Sequence, residues 1–309
     1  MAILSVVIYL LFWSVVGFIA AKLLKIKSET FTQLHKFTFN YLLPAFVLLS
    51  ITQHFNISFF LKNIGIAVAQ IILILLALFN LVWFKKADRK YAFVMLAFQN
   101  SAYLPLPIIL AMTNNNEVLL LLFMFLIGFN ISIFTLGYWV LNRKSSLIKL
   151  LNPPLVATLI AIIISVLPYA FPALYPQTLQ ELIGKTYPLL HILRLVIRHT
   201  LIPLILFIFG GTLAISPLTK SVFGVDMHIK LAIIKFIQFP IIIFLLFSTG
   251  SKFVLTLLLI ESVAPPAMNL ILLSEKREDA SKISNLLLIQ YLIFIIGLVP
   301  AVLLWSIYS

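Results

Sequence analysis

The sequence predicts an all-α integral membrane fold, with ten transmembrane helices arranged as two inverted five-helix repeats. Three observations carry this reading. Hydrophobic residues make up 62% of the 309 residues and charged residues 10%, against roughly 45–50% and about 25% in an ordinary soluble protein. A soluble fold of this size cannot bury that much apolar surface. Ten stretches are apolar over the roughly 17–25 residues that cross a bilayer. The fourth and ninth of them carry matching clusters of polar residues and prolines. No polar stretch is long enough for a separate soluble domain.

The first stretch, 3–22, has no basic residues ahead of it and Lys22, Lys25 and Lys27 behind it. It reads as a retained span, not a cleaved signal peptide. The second, 34–53, is interrupted by Asn40 and Pro44, and the third, 64–84, stops at Lys85 and Lys86. The fourth, 92–112, contains Gln99-Asn100-Ser101-Ala102-Tyr103-Leu104-Pro105-Leu106-Pro107 and is expected to break at 103–107. The fifth, 118–141, carries Asn130 and Ser132, and the sixth, 153–173, opens on Pro153-Pro154. The seventh, 200–215, is short and holds Gly210-Gly211, which read as packing glycines. It follows 181–199, a segment with Lys185, His191, Arg194, Arg198 and His199 that reads as an amphipathic or interfacial approach. The eighth, 229–248, has Lys235 near one end, where a long side chain is expected to snorkel to water. The ninth, 253–273, contains Glu261-Ser262-Val263-Ala264-Pro265-Pro266-Ala267-Met268-Asn269 and is expected to break at 263–267. The tenth, 284–307, carries Gln290.

Positive charge sets the orientation. With odd-numbered loops on the cytoplasmic side, that side holds 17 of the 22 Lys and Arg, and the other side holds 5. The bias places both termini outside the cytoplasm of a multi-pass protein of the cell membrane. The same clustering between apolar runs explains the net charge of +13 without a nucleic-acid partner.

Two groups of five spans must lie in opposite orientations, because five is odd; this is the arithmetic of an inverted repeat. An offset of 161 residues superposes Asn100 on Glu261, Ser101 on Ser262 and Pro105 on Pro266. Proline removes a backbone donor and clashes with the preceding turn. A broken helix at membrane depth is tolerated only where it is packed in protein or lines a wet cavity. Two such breaks in equivalent positions point to the substrate site of a carrier.

Glu261 is the one acidic residue well inside a span. A carboxylate there costs about 2.5–3.5 kcal/mol on insertion scales and marks an ion or substrate path. Asn100, Ser101, Asn130, Asn269 and Gln290 are the candidate substrate ligands. Pro105, Pro107, Pro265 and Pro266 are the candidate crossover, and Glu261 with Ser262 the candidate ion-coupling pair. The chain has no cysteine, no Gly-rich phosphate loop and no His-Glu-x-x-His pair, and its five histidines lack metal-ligand spacing. No metal and no organic cofactor is expected beyond sodium or a proton as coupling ion. A channel would need a charged ring or repeated pore lining, and an intramembrane enzyme a second catalytic group beside Glu261; neither pattern is visible.

On these residues the chain resembles the auxin efflux carrier family of membrane transporters, over nearly its whole length. The similar segments are Leu34-His35-Lys36-Phe37-Thr38-Phe39-Asn40-Tyr41-Leu42-Leu43-Pro44-Ala45, Asn100-Ser101 with Leu106-Pro107, Asn152-Pro153-Pro154, Phe209-Gly210-Gly211-Thr212-Leu213, and Pro265, Pro266 with Asn269. The resemblance implies inverted halves at 1–149 and 150–309, with spans 1, 2, 6 and 7 as a scaffold and spans 3–5 and 8–10 as a transport unit. It implies a fold shared with bile-acid sodium symporters and sodium/proton antiporters. It places Asn100, Ser101 and Pro107 at a substrate site, and Pro265 and Pro266 at the crossover. Plant members carry auxin, and microbial members are linked to malate and malonate. Two departures stand out: the central loop, 142–152, is minimal, and Glu261 stands where plant members tend to be neutral, as in sodium-coupled bile-acid relatives. The expected partners are the bilayer and a small organic anion, moved across the membrane by alternating access; a homodimer is left open. A sodium- or proton-coupled symporter with Glu261 as ion ligand is the alternative.

Overall fold

The computed structural model describes residues 2–112, 116–144, 151–171, 177–215 and 223–308. Among them the chain forms twelve helices and no strand. In order these are α1 (Ala2–Leu23), α2 (28–54), α3 (57–83), α4 (Arg89–Ala97), α5 (Pro105–Met112), α6 (116–142), α7 (Pro153–Ala170), α8 (Gln177–Ile215), α9 (225–247), α10 (Lys252–Val263), α11 (Asn269–Leu273) and α12 (Arg277–Tyr308). Seven of them contain a stretch long and apolar enough to cross a membrane: α2, α3, α6, α7, α8, α9 and α12. The stretches expected as the fourth and ninth spans are each split, into α4 with α5 and α10 with α11.

Local chemistry explains the starts. Asn56 and Asn152 cap α3 and α7, accepting from Phe59 N at 2.9 Å and Leu155 N at 3.0 Å. Pro153 and Pro154 occupy the first turn of α7, where no N–H donor is required. Asn40 and Pro44 do not interrupt α2. A wide π turn at Thr38–Leu42 absorbs the missing proline donor, and the helix continues. The same device precedes Pro240 in α9, at Ile234–Gln238.

The expected interfacial segment 181–199 is a correction. It is continuous with the seventh span in α8, a helix of 39 residues, about 58 Å long at 1.5 Å per residue. Two of its cations have partners inside the protein. Arg198 donates to Leu110 O at 2.8 Å, at the carbonyl end of α5, and the buried Arg194 lies 3.5 Å from His191.

Two sets of helices pack internally: α1, α2, α7 and α8 form one, and α3 to α6 with α9 to α12 the other. Within the first set, α1 and α8 meet backbone to backbone. A Cβ at Gly17 would overlap Phe207 O, and one at Gly210 would overlap Ser14 O. Small residues let membrane helices approach this closely. Gly210→Ala is expected to force the pair apart and cost about 1–3 kcal/mol of stability, seen as earlier thermal unfolding in detergent. An unchanged unfolding curve would show that the two backbones are not in contact.

Candidate functional site

The site is built where the two split helices cross. α4 ends at Ala97, and Phe98 turns extended, with φ −120° and ψ 91°. Helix resumes only at Pro105. The break is therefore 98–104, not 103–107. A proline ring clashes with the turn before it and pushes its own predecessor out of helix, yet it suits a first turn. Pro105 and Pro107 thus lie in the first turn of α5, and the unwound residues precede them. In the other half α10 ends at Val263 and α11 starts at Asn269, with Ala264 extended before Pro265-Pro266.

The two extended stretches pair antiparallel. Asn100 N donates to Pro265 O at 2.7 Å, and Ala267 N donates to Phe98 O at 2.8 Å. Gln99 and Pro266 face each other between these bonds. This is the ladder position that exchanges no hydrogen bond, so the N–H that Pro266 lacks is not missed. The backbone groups freed by both breaks satisfy one another, as membrane depth demands. The two breaks start 166 residues apart, at Phe98 and Ala264, and the helices resume 164 residues apart, at Pro105 and Asn269. At neither value does Asn100 superpose on Glu261: Asn100 is in an unwound stretch and Glu261 is in the last turn of α10.

Side chains lock the crossing. Asn100 Nδ2 donates to Tyr291 Oη at 2.7 Å, Tyr291 Oη donates to Pro266 O at 2.9 Å, and Asn100 Oδ1 accepts from Tyr103 N at 3.1 Å. Tyr291 of α12 thereby holds both broken stretches. Beside the crossing lies a small cavity of about 30 Å³, room for one or two waters. Asn100, Ser101, Asn130 and Asn269 all line it. Phe39, Leu43, Leu126 and Phe129 supply an apolar wall, and none of the described lining residues is ionised. Gln290 lies elsewhere, donating to His228 O at 3.2 Å, and the Ser262 hydroxyl donates to Leu259 O of its own helix at 2.8 Å.

The start of α5 supplies fewer donors than a helix start ordinarily does. Two of its first residues are prolines, while Leu106 N donates to Ala102 O at 3.3 Å and Ile108 N to Leu104 O at 3.2 Å. Side-chain amides stand as donors at this crossing beside the backbone N–H groups of Ala102 and Leu104, which form no backbone hydrogen bond among the described residues.

Beside the cavity sits a second, fully buried polar cluster. Gln99 Nε2 donates to Gln70 Oε1 at 2.9 Å and to Glu261 Oε2 at 3.3 Å, and Gln70 Nε2 donates to Ala97 O at 2.7 Å. The Ser101 hydroxyl donates to Gln99 O at 3.4 Å. Glu261 Oε1 is buried with no hydrogen-bond partner. Lys235 does not snorkel. It is 1% exposed, donates to Leu96 O at 3.3 Å and lies over the Phe239 ring, with no ion pair to Glu261. The wide turn at Ile234–Gln238 holds Lys235, and such a turn shifts the register of a helix face.

The sequence reading missed Tyr291, Gln70, Tyr103 and His35 as site residues. His35 stacks edge-on against Tyr103, with ring centroids 4.9 Å apart, and its two ring nitrogens and the Tyr103 hydroxyl are buried without partners. Unspent polar atoms beside a polar cavity are a signal visible only in three dimensions. His35 already stood within the second-span segment, but a lone histidine near a span end carries no spacing to read.

A family model described as membrane transport protein matches residues 2–150 and 137–303. No curated protein matches the chain.

Proposed function

Since the chain belongs to the auxin efflux carrier family of membrane transport proteins, we propose that it is a secondary carrier of a small organic anion, working by alternating access in the cell membrane. The observation that carries this reading is the crossing itself: two broken helices, paired through their backbones, beside an occludable cavity with three asparagines and a serine. Amide N–H donors suit a carboxylate, and a hydrogen bond to a charged group is worth about 1.5–3 kcal/mol. The ten-span inverted repeat accommodates this arrangement, with the split helices as its fourth and ninth members. The packing of α1, α2, α7 and α8 mainly against one another supports a scaffold against which the other helices move. The cavity must widen to admit an organic anion, and that widening is the motion the reading requires.

The wall chemistry narrows the substrate. One face is amide and hydroxyl and the other is aromatic and aliphatic. That favours a monocarboxylate with an apolar body, an auxin-like acid, over malate or malonate, whose second carboxylate would find no cation among the described lining residues. Coupling to sodium or a proton through Glu261 is the second reading. It is favoured by the buried Oε1 without a partner.

The test is uptake into proteoliposomes of labelled indole-3-acetate, malate and malonate, with sodium and proton gradients imposed separately. Saturable flux with counterflow, fastest for the monocarboxylate, is expected. Flux that rises linearly with concentration and shows no counterflow would remove the carrier reading.

A further inference from the structure

A cleft of about 840 Å³ opens between α1, the C-terminal end of α8 and α12. Lys22 and Lys25 stand at its rim, and neither forms an ion pair among the described residues. Lys25 holds φ 48°, with Ile26 N donating to Ala21 O at 3.2 Å. That is the left-handed closing position of a helix, which glycine usually takes. The cleft's inner wall contains Leu213 and Leu288, and these two residues also line a pocket of about 20 Å³. That pocket contains Met268 and Tyr291. Met268 also lines the cavity at the crossing, and Tyr291 is hydrogen-bonded to Asn100. The three spaces thus neighbour one another from the lysine rim to the asparagines, each sharing lining side chains with the next. Thr212 and Ser284 give the middle pocket hydroxyl groups.

We propose that this cleft is the cytoplasmic mouth of the translocation path. Lys22 and Lys25 capture the organic anion, and Leu213, Leu288 and Met268 are the gate that separates it from the crossing. The proposal rests on the carrier reading. The side is the one that the positive-charge bias assigns to the cytoplasm. Two unpaired cations over an apolar cleft complement an anion with an apolar body, drawing in the carboxylate while the walls accept the rest. Charge at such a rim acts mainly on capture.

The chain has no cysteine, so single introduced thiols report without background. Leu213→Cys and Leu288→Cys would be exposed to a membrane-impermeant sulfonated methanethiosulfonate from each side in turn. Leu75→Cys, on an exposed apolar face of α3, serves as the lipid-facing control. Modification of Leu213→Cys and Leu288→Cys only from the Lys22 side, slowed by indole-3-acetate and blocking its flux in the same variant, is expected. The double change Lys22→Gln/Lys25→Gln should raise KM from that side about three- to tenfold, flatten its ionic-strength dependence and act far less on kcat. Labelling no faster than at Leu75→Cys would mean that lipid fills the cleft, and labelling that leaves flux intact would mean that the path runs elsewhere; either overturns the proposal. Absence of flux in the unmodified protein would instead overturn the carrier reading, while the labelling pattern still decides whether the cleft is a wet mouth.

Discussion

Asn100→Ala should lower substrate affinity by about ten- to a hundredfold, the loss of one hydrogen bond to a charged group at about 1.5–3 kcal/mol. Asn100 is 4% exposed, lines the cavity and stands in the unwound stretch between α4 and α5. Its amide also has structural duties. It donates to Tyr291 Oη and accepts from Tyr103 N, so removal must loosen the crossing as well as the site. Tyr291→Phe separates the two effects: it deletes the hydroxyl that ties Asn100 to Pro266 O but leaves the amide in place. Thermal unfolding should fall for both variants, with the loss of substrate binding concentrated in Asn100→Ala. Asn100→Asp keeps the oxygen that accepts from Tyr103 N but places a like charge against the anion, and should bind worse than its stability predicts. Binding and flux are measured beside unfolding for all three. Wild-type binding in Asn100→Ala would remove the crossing as the site, and binding losses that merely follow stability across the series would make Asn100 a brace.

Much of this was legible in the chain because prolines act locally. Pro105, Pro107, Pro265 and Pro266 mark two breaks because they come as pairs attached to polar residues, whereas the single Pro44 and Pro240 are absorbed by wide turns. The exact break was less legible. Pro105 could end a helix or begin one, and only the pairing of Phe98 and Asn100 with Ala267 and Pro265 shows that the unwound residues come first. Lys235 shows the opposite limit. Its sequence position near a span end fits snorkelling, but a wide turn and the nearby Glu261 keep it inside. Gln70 and Tyr291 join from α3 and α12 through two hydrogen bonds each, and no periodicity marks such contacts. The segment 181–199 misled because its cations look interfacial, whereas Arg198 spends its charge on the carbonyl end of α5.

Glu261→Gln should have the second large effect, and Lys235 makes its origin separable. Glu261 is fully buried and Lys235 nearly so, in one cluster with Gln99 and Gln70. The two are beyond ion-pair distance, so losing the Glu261 charge takes from Lys235 a longer-range attraction, a smaller loss than the several kcal/mol of breaking a contact pair. The single variant should therefore be less stable, and Glu261→Gln/Lys235→Gln should recover part of the loss, because both buried charges leave together. Transport answers a different question. If Glu261 carries a coupling cation, wild-type flux depends on sodium or on pH, and that dependence vanishes in the single and the double variant alike. A sodium site loses sodium stimulation while keeping some anion binding; a proton site loses its pH dependence, because Gln mimics the protonated acid. We expect coupling. The carboxyl group ends α10 directly beside the crossing, with one oxygen unspent, whereas a purely structural acid gains little there over an amide. The deciding measurement is flux against sodium and pH for the wild type and both variants, with unfolding measured in parallel. Sodium and pH curves shared by all three, with stability restored in the double variant, would make Glu261 and Lys235 a buried counterbalance in a uniporter.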